Sequence, residues 1–240
     1  MGGITRRESW VKQHREEKKL DLLLDGGRTL FVPGSKPTPS KLERAKKLIG
    51  YYKKMGYQNC CISSSDLQAG SGFIKELNGS GSLFISANII TDNKRTFEPG
   101  RLYKIKDKKI AVIALTDRVP TSFDNGKTTI LPPGKALKSL WNTIEGQKPD
   151  LVILLTSLNM LKLKKLLPGY PKIGLVISSG IGAPTYVPYK AGNALVVSSH
   201  SKGKSIGRII ITLDKKGKIT DYDNKLIMLT DSVLDSKYQY

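Results

Sequence analysis

The residues able to do chemistry gather at the ends of apolar runs. The fullest set is Ser63-Ser64-Ser65-Asp66-Leu67-Gln68-Ala69-Gly70, which follows a buried strand expected over Asn59 to Ile62. In an α/β fold the turn after a strand's carboxyl end is where chemistry is usually placed. The turn has the position of a site but is short of catalytic side chains; small hydroxyls, backbone N–H groups and Arg28 could bind a phosphate or carboxylate without turning it over. Three further strand ends carry small polar residues of the same kind. They are Asp25-Gly26-Gly27-Arg28, Ser157, and Ser178-Ser179-Gly180-Ile181-Gly182. Ser65 or Ser157 could serve as a nucleophile only with a base beside it. The histidines, His14 and His200, fall on the first helix and a late loop, and neither is placed for that role. Gly180-x-Gly182 is too short for a dinucleotide fingerprint.

The elements that must position these turns read as follows. Ile4 to Lys19 is a charged helix, and Leu20 to Asp25 a short buried strand. Ser40 is expected to cap a helix from Lys41 to Met55, whose Leu42, Ala45, Leu48, Ile49 and Tyr52 recur at helical spacing. Phe73 to Leu77 reads as helix and Leu83 to Ile90 as strand. Leu102 to Ile105 and Lys109 to Leu115 form a hairpin, and Thr116 to Leu131 a long polar loop. A helix from Lys135 to Glu145 precedes the buried strand Asp150 to Leu155. A helix near Leu158 to Leu167 then leads to the strand Ile173 to Ile177. Strands at Ala194 to Ser198, Gly207 to Leu213 and Ile219 to Tyr222 close the chain. Strands alternating with helices, then antiparallel strands, predict an α/β (α+β) sandwich of mixed sheets with helices outside. With no repeat and no linker, the 240 residues read as one domain.

Forty Lys and Arg against twenty Asp and Glu give a formal charge of +20, which predicts attraction to polyanions. Lys104, Lys106, Lys108 and Lys109 fall on one hairpin, and Lys202, Lys204, Lys215, Lys216 and Lys218 near another. Aromatic residues are scarce at 7%, and no nucleic-acid motif accompanies the lysines. An acidic protein or anionic cell-surface material is therefore the expected partner, and sequence-specific nucleic-acid binding is not expected. Cys60 and Cys61 are adjacent, too close for an ordinary bridge, and read as small core residues. No apolar run approaches the roughly 18 to 20 residues of a membrane span. Met1-Gly2-Gly3 leads straight into a polar helix, so no signal peptide is expected within these residues.

Several motifs in order resemble the metallophosphoesterase domain of the 5′-nucleotidase family, in the calcineurin-like phosphoesterase superfamily. Gly2-Gly3-Ile4 with Arg6-Arg7 resembles the glycine pair that opens the family's first helix. Leu22-Leu23-Leu24-Asp25-Gly26-Gly27 is similar to the strand ending in its Asp-Ala-Gly-Asp. Ser86-Ala87-Asn88-Ile89 matches its Ser-Ala-Asn segment. Lys109 to Thr116, the strand Asp150 to Thr156, and Gly207-Arg208 resemble later strands. The resemblance runs from Gly2 to about Asp235 and implies a four-layer metallophosphoesterase sandwich.

Family members hold a pair of divalent metals on Asp, His and Asn side chains at these strand ends, activating water on a phosphate. Set beside those motifs, Arg28 stands where a bridging Asp would be. Ser63, Ser64, Ser65 and Asp66 replace Gly-Asn-His-Glu, Ser157 replaces a His, and Ser179, Gly180, Ile181 and Gly182 replace Gly-His-x-His. The family's Asp-x-His motif lies upstream of the glycine pair, and its nucleoside-binding domain lies beyond Tyr240. The resemblance so read implies a degenerate site at Asp25, Arg28, Ser64, Ser65, Asp66, Ser157, Ser179, Gly180 and Gly182, with no catalytic residue, metal or cofactor. The expected role is an inactive binding or structural subunit acting through its basic surface. The alternatives are a hydrolase of nucleotides or phosphomonoesters with a non-family ligand set, and a phosphate-binding module. Since family members are commonly exported, the periplasm or cell surface is implied, with a leader outside these residues; the cytoplasm is the alternative.

Overall fold

In the computed structural model of the chain, residues 2–17, 19–34, 36–117 and 127–233 are described. Helix α1 (Ile4–Glu16) leads to a three-stranded parallel sheet of β1 (Leu24–Asp25), β2 (Asn59–Cys61) and β3 (Phe84–Ile85), in that order. The crossovers are α2 (Pro39–Met55) and α3 (Ser71–Asn78). Ala45, Ile49, Tyr52 and Met55 bury one face of α2, as its spacing predicts. Its start is earlier than expected: Thr38, not Ser40, takes the N-cap position, and Pro39 sits at the first turn, where its missing N–H is not needed.

The expected strand Leu83 to Ile90 breaks in two. β3 stays in the first sheet, while β4 (Ile89–Thr91) turns away to pair with β5 (Lys94–Arg95) and β8 (Thr128–Ile130). Fully buried Asn88 makes the break tolerable. Its Nδ2 donates to the carbonyls of Thr116 and Leu131, and its Oδ1 accepts the Thr116 N–H at 2.8 Å. β8 also interrupts the expected polar loop Thr116 to Leu131; residues 118–126 of that loop lie outside the described residues.

The second sheet has six strands. β6 (Gly100–Ile105) and β7 (Lys108–Leu115) form the expected hairpin. α4 (Pro133–Gly146), β9 (Leu151–Thr156), α5 (Met160–Leu166) and β10 (Ile173–Ser178) follow. β11 (Tyr189–Ala191), which the sequence reading misses, and β12 (Ala194–Val197) complete the order β11-β12-β10-β9-β7-β6. The inner four strands run parallel, and both edge strands are antiparallel to their neighbours. A hairpin of β13 (Ser205–Leu213) and β14 (Ile219–Met228) closes the fold, β14 running well past the expected Tyr222.

Alternation along the strands assigns the layers. Val152 and Leu154 join Leu137, Leu140 and Leu163 in a core under α4 and α5, whereas Ile153 and Leu155 face Cys61 and Ile85 between the sheets. Cys60 points the other way, into the core beneath α1, α2 and α3. Successive strand side chains take opposite faces, so both sheets are buried on both sides. The result is the expected four-layer sandwich of helix, sheet, sheet and helix, with all parallel strand ends at one pole. Asn88→Ala would strand the Thr116 amide and two carbonyls at the junction between sheets. Its expected cost is about 3 kcal/mol, since each orphaned buried group costs about 1–3 kcal/mol. Urea unfolding of the two proteins measures it.

Candidate functional site

Asp25 ends β1, and both of its carboxylate oxygens are engaged by the protein. Oδ1 accepts the Gly27 N–H at 2.8 Å and the Thr29 hydroxyl at 3.1 Å, and Oδ2 accepts the Tyr52 hydroxyl at 2.8 Å. That phenol in turn accepts from Arg7 Nη1 at 2.9 Å, and Arg7 Nη1 also reaches the Tyr57 hydroxyl at 3.3 Å. The rings of Tyr52 and Tyr57 stack at 4.1 Å. Burial alone would lower the Arg7 pKa, but Tyr57, Tyr52 and Asp25 outweigh it and hold the guanidinium charged. Burial pushes Tyr57 up to about 12 and raises Tyr52 as well, so both phenols stay neutral while accepting from Arg7, and Tyr52 donates onward to Asp25. Asp25 thus faces a cation through one phenol, an arrangement contributed by α1 and α2 that sequence reading misses.

At the end of β2 the turn winds into a short 3-10 helix, Asp66–Ala69, and Asp66 points inward. Its carboxylate is fully buried. Oδ2 accepts the Ser63 N–H at 2.9 Å and the Ser63 hydroxyl at 2.6 Å, and Oδ1 accepts the Leu30 N–H at 2.8 Å. Burial raises its pKa from the ordinary Asp value, against the opposing effect of those donors. Asp66 therefore ties the loop after β2 to the loop after β1. Ser65 bonds Ser63 at 2.9 Å, and Ser64 is half-buried.

The loops after β9 and β10 close from the other side. Ser157 accepts the Asp117 N–H at 2.9 Å, and Asp117 pairs with Lys162 at 2.6 Å. Ser178 donates to the Leu158 carbonyl and accepts the Gly180 N–H, while Ser179 donates to the Gly26 carbonyl at 3.0 Å. A Cβ at Gly180 would stand 2.0 Å from the Ser157 carbonyl oxygen, and one at Gly26 would stand 2.8 Å from that of Ile177. Neither position has room for a side chain. Arg28, at φ 59, and Gly182, at φ 80, are exposed at the rim.

The structure therefore brings Asp25, Ser64, Ser65, Asp66, Ser157, Ser179 and Gly180 to one pole, where the hydroxyls of Ser65, Ser157 and Ser179 bond protein partners. The histidines lie elsewhere: His14 stacks on Trp10 at 3.8 Å, and His200 meets Ser205 at 3.0 Å. Among the described residues no three His, Cys, Asp or Glu side chains converge as a metal-binding group. Asp25 and Asp66, already saturated by donors, do not fit the pair of divalent ions that this fold carries in other proteins. The basic residues divide. Lys104, Lys106, Lys108 and Lys109 lie on the β6–β7 hairpin, and Lys215, Lys216 and Lys218 at the β13–β14 turn. Lys202 and Lys204 precede β13, so its nine residues, roughly 30 Å, separate them from that turn.

The layers, the strand order and the pole of converging loops define a metallophosphoesterase fold. Solved structures bear this out at low sequence identity. Thermus thermophilus sulfate thiohydrolase SoxB matches with a TM-score of 0.83 and 19% identity over 99% of this chain and 45% of that one. A 5′-nucleotidase precursor from Thermus thermophilus matches at 0.77 and 17% identity, over 99% of this chain and 51% of that one. The calcineurin-like phosphoesterase YfkN from Bacillus subtilis also scores 0.77, at 16% identity, over 97% of this chain and 84% of that one. The chain thus spans about half the length of the first two. No protein-family profile and no curated protein sequence matches the chain.

Asp66 makes a pH test possible. Its folded pKa is raised, so its contribution to stability is full below the ordinary Asp value of about 3.9 and is lost as pH rises through the raised value. Asp66→Ala should lower stability by about 3 kcal/mol in acid, where two buried amides lose their acceptor. It should also abolish that part of the pH slope. Urea midpoints taken at successive pH values read both effects.

Proposed function

We propose that this chain is a metallophosphoesterase-fold unit that binds without turning over a phosphoester. In this reading it serves as a docking or structural subunit of a larger assembly, through its basic surface, outside the cytoplasm. The observation that carries the reading is the fit of the loops after β9 and β10. A side chain at Gly180 would strike the Ser157 carbonyl, so one of the two positions that the resemblance assigns to imidazole is closed by backbone, and the other, Gly182, is open but offers no side chain. Arg28 adds a fixed positive charge at the rim, and the inward carboxylates serve the loops themselves. The named neighbours include a sulfate thiohydrolase and a 5′-nucleotidase; those activities belong to those proteins.

In this reading Asp25 and Asp66 are positioning residues for loops, and Ser157 is a buried acceptor with no base beside it. A buried serine whose oxygen already accepts an amide N–H is a poor nucleophile. The anion-binding alternative has less support, because Ser63, Ser157, Ser178 and Ser179 direct their bonds inward. Among the described residues of these loops, exposed Arg28 and Gly182 and half-buried Ser64 are what remain to meet a phosphate.

The test is direct. The full-length protein, dialysed against manganese, cobalt or zinc and analysed by atomic emission, should retain no stoichiometric metal. It should release no phosphate from p-nitrophenyl phosphate or a nucleoside monophosphate above the no-protein blank. Two metals per chain, or phosphate release lost on Asp25→Ala, would overturn the reading in favour of a hydrolase with its own ligand set.

A further inference from the structure

The two basic hairpins, separate in sequence, meet at the pole opposite the serine-lined loops. Asp150, just before β9, is the joint. It donates its N–H to the Lys109 carbonyl at 2.8 Å, and its Oδ2 accepts the Lys109 N–H at 2.8 Å. On its other side Gly217, in the β13–β14 turn, lies so close that an added Cβ would come within 2.0 Å of the Asp150 carbonyl oxygen. Gly217 has φ 80, which a glycine takes without strain. The Val152 N–H donates to the Lys172 carbonyl, which brings the start of β10 to the same place. Exposed Lys106, Lys109, Lys148, Lys172, Lys215 and Lys216 thus share one end of the molecule.

The acids nearby do little to offset them. Asp150 bonds the Lys109 amide and lies 3.9 Å from Lys108, and Asp214 accepts the N–H groups of Lys216 and Lys218 at 2.8 and 2.9 Å, but these acids are outnumbered by the lysines around them. Asp107 meets Lys108 at 3.6 Å, and Glu145 lies near the end of α4. Net positive charge remains on the turns.

We infer that this pole is a docking surface for an anionic lipid bilayer. Three observations favour a bilayer over a macromolecule read in detail. Every cation on these turns is Lys, a hydrated point charge, and none is Arg, whose planar fork recognises phosphate and carboxylate bidentately. None of the exposed large apolar side chains among the described residues lies on residues 104–109, 148–150 or 214–218, so the aromatic anchors of a tight protein interface are missing. The same lack removes the stacking platforms on which single-stranded nucleic acid is held. What remains is many diffuse positive charges on projecting turns, which suits a plane of dense negative charge. The charge is held at the surface, since no helix among the described residues is long and apolar enough to cross the membrane.

The inference rests on the docking-unit reading, and the two fail separately, because metal uptake bears on the first and vesicle binding on the second. The full-length protein should cosediment with phosphatidylcholine vesicles containing phosphatidylglycerol, should not bind phosphatidylcholine alone, and should be released by salt. Each Lys near such a surface contributes about a fivefold partition factor, so Lys106→Ala/Lys109→Ala/Lys215→Ala/Lys216→Ala should bind at least about a hundredfold more weakly. A charge-matched control, Lys47→Ala/Lys138→Ala/Lys202→Ala/Lys204→Ala, should lose less than about tenfold, as its lysines lie off this pole. Equal loss in both variants, absence of binding to anionic vesicles, or tighter binding to duplex DNA or polyglutamate at the same salt would overturn the inference. Far-ultraviolet circular dichroism of both variants establishes that they are folded.

Discussion

Close backbone approach at one pole sets the terms for the whole molecule. Gly26 lets the loop after β1 touch the end of β10, and Gly180 lets the loop after β10 touch the loop after β9, with Ser179 bridging to the Gly26 carbonyl and Ser178 turned back onto Leu158. Parallel strands from two sheets end side by side there, and their loops must either splay around a ligand or pack on each other. Here they pack. Once they do, each hydroxyl and carboxylate in the contact must find a protein partner, because an unpaired polar group in such a place costs about 1–3 kcal/mol. The inward aim of Asp66 and the bonding of Ser157 to the Asp117 amide follow from that single fact.

The same logic shapes the charge distribution. The chain has half as many acids as bases, and several of its carboxylates cap backbone rather than pair with lysine. Asp25 holds Gly27, Asp66 holds Leu30 and Ser63, Asp150 holds Lys109, and Asp214 holds its own turn. Most ion pairs between side chains involve exposed partners, such as Lys46 with Glu76, which contribute little to stability. The caps leave each carboxylate its charge, so the surface is as positive as the residue count gives, with +20 spread mostly over exposed lysines. Arg7 is the exception. It is drawn inside by the Tyr52 and Tyr57 hydroxyls and by Asp25, where it balances charge at the strand-end pole.

How much of this the sequence disclosed depended on burial. β7, β9 and β10 are buried on both faces, so their apolar runs were plain, and the strand-end positions followed from them. β14 was cut short because Ile219–Met228 alternates with Asp, Asn and Lys, and its half-exposed pattern lacks an apolar run. β8 and β11 are three residues each, too short to register against flanking polar residues. At the site, position was legible and chemistry only partly so. Tyr52 read as one more apolar tooth on α2, and nothing in its local sequence said that its hydroxyl would join Arg7 to Asp25 across 45 and 27 residues. Such links depend on how α1 and α2 stack, which is a tertiary fact.

A parallel-strand sandwich has two chemically distinct poles, and residues at one can change without repacking the other. Loops after strand carboxyl ends build ligand sites in open α/β sheets, whereas turns at the opposite pole connect elements without entering the site. In this chain the two are joined through the buried lengths of β7, β9 and β10, whose interior residues take no part in either surface. Substitutions that add Lys to the turns near Asp150 therefore leave the packing of Gly26 and Gly180 untouched. Conversely, sealing the serine-lined pole leaves the field at the lysine pole unchanged beyond a Debye length of about 8–10 Å. The sandwich between the poles holds the strand-end loops and the lysine-bearing turns in place independently of one another.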